Sequence, residues 1–122
     1  MNTLLLSDDL IFTSRVTGTG TGVGVAVRVA KSPGTLLNLA RQQPPGCVIL
    51  DLSNPGLNIA EFVAALKTLD PPPTVVAYGS HVDAATLNAA RAAGCDHVMP
   101  RSQFVEELPK QLAAWAGSRA EG

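Results

Sequence analysis

The side chains best placed for chemistry are aspartates: Asp8 and Asp9 follow the apolar run Thr3–Leu6, and Asp51 closes the apolar run Cys47–Leu50. If the two runs are strands of one sheet, three carboxylates from distant parts of the chain reach a common edge, where they repel one another unless a cation joins them. A hard divalent ion such as Mg²⁺ suits a shallow acidic pocket of this kind, because it takes one or two carboxylates and fills its remaining positions with waters or phosphate oxygens. A plainer reading stands beside it: Asp is frequent after strands as a helix cap or turn residue, and its charge favours a helix N-terminus. Histidine is a common acid–base residue, but neither His81 nor His97 lies in a nucleophile, oxyanion or zinc pattern. His81 borders the expected pocket, and His97 reads as structural.

The elements that must position these aspartates are legible as an alternation. Short apolar runs recur at Thr3–Leu6, Val25–Val29, Cys47–Leu50, Thr74–Tyr78 and His97–Met99, with helical periodicity between them. This order predicts βαβ units on a parallel sheet. Four runs are apolar throughout or nearly so, as strands covered on both faces should be, whereas Val25, Val27 and Val29 alternate with Ala26, Arg28 and Ala30, which predicts an edge position for the second strand.

The first helix should bury Phe12, Val16 and Val23, although Gly18, Gly20, Gly22 and Gly24 each cost about 1 kcal/mol in a helix interior relative to alanine. Ser32-Pro33 caps and starts a second helix through Leu36, Leu37, Leu39 and Ala40, which ends at Pro44-Pro45. The third places Ile59, Phe62, Val63 and Leu66 on one face and stops at the prolines 71–73. Asp83 caps the fourth, and Gly94 ends it. The last follows Ser102 with Phe104, Leu108, Leu112 and Trp115 on one stripe, and Pro109 should kink or restart it.

Five strands alternating with five helices predict a flavodoxin-like, doubly wound parallel sheet of order 2-1-3-4-5, with its site at the carboxyl ends of the strands around a topological switch point. The stretch Val48-Ile49-Leu50-Asp51-Leu52-Ser53-Asn54-Pro55-Gly56 is more specific than any isolated aspartate. It resembles the receiver domain of two-component response regulators (the CheY-like family), in which a buried strand delivers a phospho-accepting aspartate ahead of a Pro-Gly loop. The resemblance covers nearly the whole chain, from the acidic pair after strand one to the Gly94-Cys95-Asp96 turn into strand five. It implies that Asp8, Asp9 and Asp51 hold Mg²⁺, that Asp51 is the phospho-acceptor, and that the partner is a histidine kinase or a downstream signalling protein. It also implies a homodimer or partner surface on the last two helices and strand five, where Ala84, Ala85, Ala89, Ala92 and Ala93 are small.

The chain departs from the family pattern in its switch. The Thr or Ser that meets the phosphoryl oxygen at the end of strand four reads as Gly79, with Ser80 next; the lysine at the end of strand five reads as Arg101, followed by Ser102 in place of the usual proline; and the inward-swinging aromatic three positions before Arg101 is Val98. Arginine keeps the charge but not a lysine's compact point contact. These departures point to a degenerate receiver, or pseudo-receiver: an interaction module that is not an enzyme and whose phosphorylation at Asp51 is weak or lost.

A small nucleotide- or cofactor-binding flavodoxin-like domain is the alternative. It rests on Gly18-Thr19-Gly20-Thr21-Gly22-Val23-Gly24, but a dinucleotide fingerprint sits directly after strand one, these glycines come about ten residues later, and no stretch reads GxGxxG or GxxxxGK[ST].

Bulk properties bound the rest. A chain of 122 residues that is 46% hydrophobic, 16% charged and of net charge −1 is neither disordered in composition nor a carrier of the basic footprint that nucleic acid requires. Residues 1–117 are expected to form one domain, with 118–122 a frayed tail. Cys47 and Cys95 lack any metal-ligand spacing and read as free thiols in a reducing cytoplasm. The run Leu4–Leu6 is too short for a signal peptide or for the roughly 20 residues of a membrane span.

Overall fold

The computed structural model describes residues 2–117; the expected frayed tail at 118–122 lies outside the described residues. Strands and helices alternate along the chain as β1 (Asn2–Leu6), α1 (Leu10–Val23), β2 (Ala26–Ala30), α2 (Pro33–Gln42), β3 (Cys47–Asp51), α3 (Ile59–Lys67), β4 (Thr74–Gly79), α4 (Ala84–Ala93), β5 (His97–Pro100) and α5 (Arg101–Gly117). The strands are parallel in the order β2-β1-β3-β4-β5, the doubly wound architecture that the alternation predicts.

Because successive strand residues point to opposite faces, the buried strands divide their side chains between two cores. Leu4, Leu6, Val48, Leu50, Val75 and Ala77 face α2, α3 and α4 through Leu36, Phe62, Val63, Leu66 and Leu87. Leu5, Ile49, Val76, Tyr78 and Met99 face α1 and α5 through Phe12, Val16, Phe104, Leu108, Leu112 and Trp115. This odd and even division decides which residues just beyond β1 and β3 can meet. The β2 side chains stay largely accessible up to Ala30, as its edge position requires.

Four helices carry side-chain N-caps, Asp9, Ser32, Asn58 and Asp83, each accepting from a backbone amide of the first turn. Two close on left-handed glycines, Gly24 at φ 77° and Gly94 at φ 101°, a conformation that glycine adopts without steric cost.

Three expectations need correction. Val23 is 37% exposed and does not share the buried face of α1; Gly20 takes that place, because a Cβ there would lie 2.6 Å from the Val25 carbonyl oxygen and 2.8 Å from Val27 Cγ2. The last helix begins at Arg101, not after Ser102, directly at the end of β5. It also runs without restart through Pro109. That residue is exposed, so the ring itself is not forced into the core.

Candidate functional site

The site grows out of one row across the sheet. Leu6 pairs with Leu50 in the β1/β3 register, so the next residues, Ser7 and Asp51, stand level, and Asp51 pairs in turn with Tyr78 on β4. All three belong to the same face as Leu5, Ile49 and Val76, and all are buried, with Ser7 at 0%, Asp51 at 6% and Tyr78 at 1% exposure. A burial this deep obliges each polar group to find a partner nearby.

Asp51 finds three. Ser7 Oγ donates to its Oδ2 at 2.8 Å, while the Ser53 amide at 3.0 Å and Ser53 Oγ at 2.6 Å donate to Oδ1. The Ser7 oxygen in turn accepts from the Asp9 amide at 3.2 Å. The loop that supplies Ser53 is tied down by the Asn54 amide, which donates to the Asp51 carbonyl at 3.0 Å, and by Asn54 Nδ2, which donates to the Lys31 carbonyl at 3.2 Å.

Tyr78 completes the row differently. Its ring is stacked on Phe104 at 4.6 Å and tilted against Phe12 at 5.1 Å. Although Ser7 stands beside it, the phenol oxygen meets no partner in hydrogen-bonding geometry. Burial, reinforced by the nearby Asp51 charge, pushes the phenol's pKa well above its ordinary 10.

The other expected site residues are brought to the same edge, in altered partnerships. Arg101, half exposed, pairs with Asp9 Oδ2 at 3.3 Å and lies with its guanidinium carbon 4.0 Å from the centre of the Phe12 ring. Asp9 also caps α1 by accepting from the Phe12 amide at 3.0 Å. That bond, with Arg101 beside it, holds the Asp9 carboxyl below its ordinary 3.8 despite the opposing effect of desolvation. Asp8, one residue past the row, is exposed. Gly79 is buried with Leu52 and Leu87 on its side-chain side, and Ser80 is exposed. Asp51, Ser53, Tyr78, Gly79, Ser80, His81, Arg101 and Ser102 enclose a cavity of about 340 Å³. His81 therefore borders the pocket as expected, whereas His97 lies against Trp115, with ring centres 5.8 Å apart.

For a resident Mg²⁺ the donor set is a poor fit. Among the described residues no three His, Cys, Asp or Glu side chains gather where a metal could be held. The position facing Asp51 is filled by a hydroxyl, and the Asp51 oxygens are engaged by Ser7 and Ser53. Residue types and order alone direct attention to Asp8 and Asp9; Ser7, Ser53 and Tyr78 are the partners that such a reading misses. The register offers the missing signal: Leu6 opposite Leu50 makes Ser7 the counterpart of Asp51.

The glycine-rich run occupies the later turns of α1, and that helix starts at the β1 carboxyl end and runs back toward the opposite edge of the sheet. Gly20 serves close packing against Val25 and Val27. Its location is the wrong edge for a phosphate cradle at the strand ends.

With fold and site described, the class of fold can be stated: this is the receiver-domain architecture, the CheY-like form of the flavodoxin-like fold. The Francisella response regulator 1452 receiver domain is similar with a TM-score of 0.81 at 14% identity, over 97% of this chain and 98% of that one. The receiver domain of NtrX from Brucella abortus is similar at 0.78 and 21%, over 93% and 96%. The receiver domain of Ssk1 from Saccharomyces cerevisiae, crystallised with the histidine phosphotransfer signalling protein Ypd1, is similar at 0.82 and 17%, over 98% and 91%. No protein-family model and no curated protein matches the sequence. Among the described residues no helix is long and apolar enough to cross a membrane.

Proposed function

We propose that this chain is a receiver-like signalling module of two-component type that acts by binding a protein partner, with phosphotransfer at Asp51 weak or lost. The observation that carries the reading is the Ser7–Asp51–Tyr78 row: the carboxylate at the acceptor position is buried and held by hydroxyl and amide donors, and among the described residues no group of acidic side chains gathers around it. Phosphoryl transfer to a carboxylate needs positive charge and hydrogen-bond donors at the developing anion. Here Arg101 is engaged by Asp9 and Gly79 supplies no hydroxyl, while Asp51 Oδ1 accepts two hydrogen bonds and Oδ2 one.

The partner surface we assign is the exposed side of α4 with β5 and α5, where Ala84, Ala85, Ala89 and Ala92 are accessible and permit close approach. A phosphotransfer protein, a histidine kinase or a downstream signalling protein fits this reading, and the Ypd1 complex of a similar domain supports the first. A homodimer through the same surface is the competing occupant, distinguished by sedimentation of the pure chain. Free Cys47 and Cys95 accord with a reducing cytoplasm.

Amide NMR with Mg²⁺ and beryllofluoride, comparing the native chain with Asp51→Asn, tests the proposal. We expect no beryllofluoride-dependent shifts. Shifts that start at Asp51, spread into α4 and α5 and disappear in Asp51→Asn would establish a working phosphorylation switch and overturn it.

A further inference from the structure

Ser7 donates its single hydroxyl proton to Asp51 Oδ2 at 2.8 Å, while its oxygen accepts from the Asp9 amide at 3.2 Å. It is fully buried, and the strand register, not chance proximity, sets it level with Asp51. A hydroxyl and a carboxylate at this place have opposite consequences. The hydroxyl is neutral and donates, so it satisfies Asp51; a carboxylate can only accept and would add a second negative charge against the first. We propose that Ser7 is the residue that makes the Asp51 pocket independent of a divalent metal, and that a carboxylate at this single position would turn the pocket into a Mg²⁺ or Mn²⁺ site.

The geometry supports the second half of the statement as well as the first. An aspartate at position 7 would face Asp51 across the gap that the hydrogen bond now closes, and a hard divalent ion is the partner that relieves two opposed carboxylates. The adjoining cavity, about 340 Å³ with Ser53, Ser80 and Ser102 in its wall, has room for the waters that Mg²⁺ retains. Asp8 does not serve this purpose: it lies one residue beyond the row and is exposed. Metal independence follows from the hydrogen-bond geometry, whether or not Asp51 is ever phosphorylated.

The test is a metal titration without any phosphoryl mimic. Mg²⁺ binding is measured by calorimetry, and the site is located by Mn²⁺ broadening of amide signals, in the native chain, Ser7→Asp, Ser7→Asn and the double variant Ser7→Asp/Asp51→Asn. We expect Ser7→Asp to bind Mg²⁺ at least about tenfold more tightly than the native chain, since ligand charge count is the main lever on affinity. Broadening should centre on positions 7 and 51, Ser7→Asn should behave as the native chain, and the added Asp51→Asn change should remove the gain. Saturable broadening centred on Asp51 in the native chain below roughly 1 mM Mn²⁺ overturns the proposal, as does a gain that survives Asp51→Asn. If Ser7→Asp unfolds without metal, recovery of the fold in Mg²⁺ supports the proposal. A chain still unfolded at saturating Mg²⁺ overturns it, because the ion then fails to relieve the carboxylate pair.

Discussion

Removal of the Ser7 hydroxyl isolates the contact on which the reading of the site turns. In Ser7→Ala the Asp51 Oδ2 loses its 2.8 Å donor, while Oδ1 keeps the Ser53 amide and hydroxyl. A hydrogen bond to a charged group contributes about 1.5–3 kcal/mol, and the lower figure applies where water can replace the lost donor. Asp51 borders an open cavity of about 340 Å³, so water can reach it, and we expect a loss of about 1.5 kcal/mol. With an unfolding entropy of about 2.1 cal/mol/K per residue over 122 residues, that loss lowers Tm by roughly 6 °C. Urea titration followed by the fluorescence of Trp115, the single tryptophan, gives the free energy, and the same substitution in an Asp51→Ala background supplies the coupling. There the hydroxyl has no carboxylate to hold, so Ser7→Ala should cost less than about 0.5 kcal/mol. An equal cost in both backgrounds, or a cost below about 0.5 kcal/mol in the native chain, would refute the claim that Ser7 and Asp51 form one energetic unit.

Tyr78→Phe removes a buried hydroxyl that meets no hydrogen-bond partner among the described residues and should raise stability by about 1 kcal/mol in the same urea assay; a loss of that size would show that the phenol is satisfied after all. Asp9 and Asp83 have folded-state pKa values below their ordinary 3.8, each set first by a hydrogen bond in the helix cap it forms, from the Phe12 amide and from Thr86 respectively. Their contribution is therefore fully present above about pH 4 and is lost as pH falls through the depressed folded values. The Tm difference between the native chain and Asp9→Asn should be constant from pH 7 to pH 5 and shrink below pH 3.8; a difference unchanged at pH 2.5 would contradict the assignment. A methyl group added at Gly18 would have nothing within 4 Å, whereas one at Gly20 would collide with the Val25 carbonyl. Gly18→Ala should thus stabilise by about 0.5–1 kcal/mol through helix propensity alone, and Gly20→Ala should destabilise by more than about 1 kcal/mol, with thermal melts deciding between them.

How much is legible depends on the range of the forces involved. The caps Ser32 and Asp83, the stop at Gly94 and the stripe of Phe104, Leu108, Leu112 and Trp115 rest on local chemistry and period and are found where the sequence places them; the apolar runs mark all five strands, the second displaced by one residue to Ala26–Ala30. Val23 and Pro109 depart from the local pattern because tertiary context overrides it. At Val23, a glycine takes the buried position so that β2 can approach; at Pro109, the proline lies on the exposed side and the helix continues past it.

The alternation of elements, the two-sided burial of the sheet and the delivery of Asp51 to the carboxyl edge of a central strand follow from composition and periodicity, which are properties of neighbouring residues. Which groups surround Asp51 was decided only in the folded chain. Strand register is a relation between segments 44 residues apart, and a shift of one position chooses between Asp8 and Ser7. It selected Ser7, placed Tyr78 on the other side and left Arg101 to Asp9. A pocket expected to gather carboxylates around a cation consequently centres on one carboxylate held by two hydroxyls and a backbone amide, because side chains on alternate strand positions face opposite ways and only one of two adjacent residues can join the row.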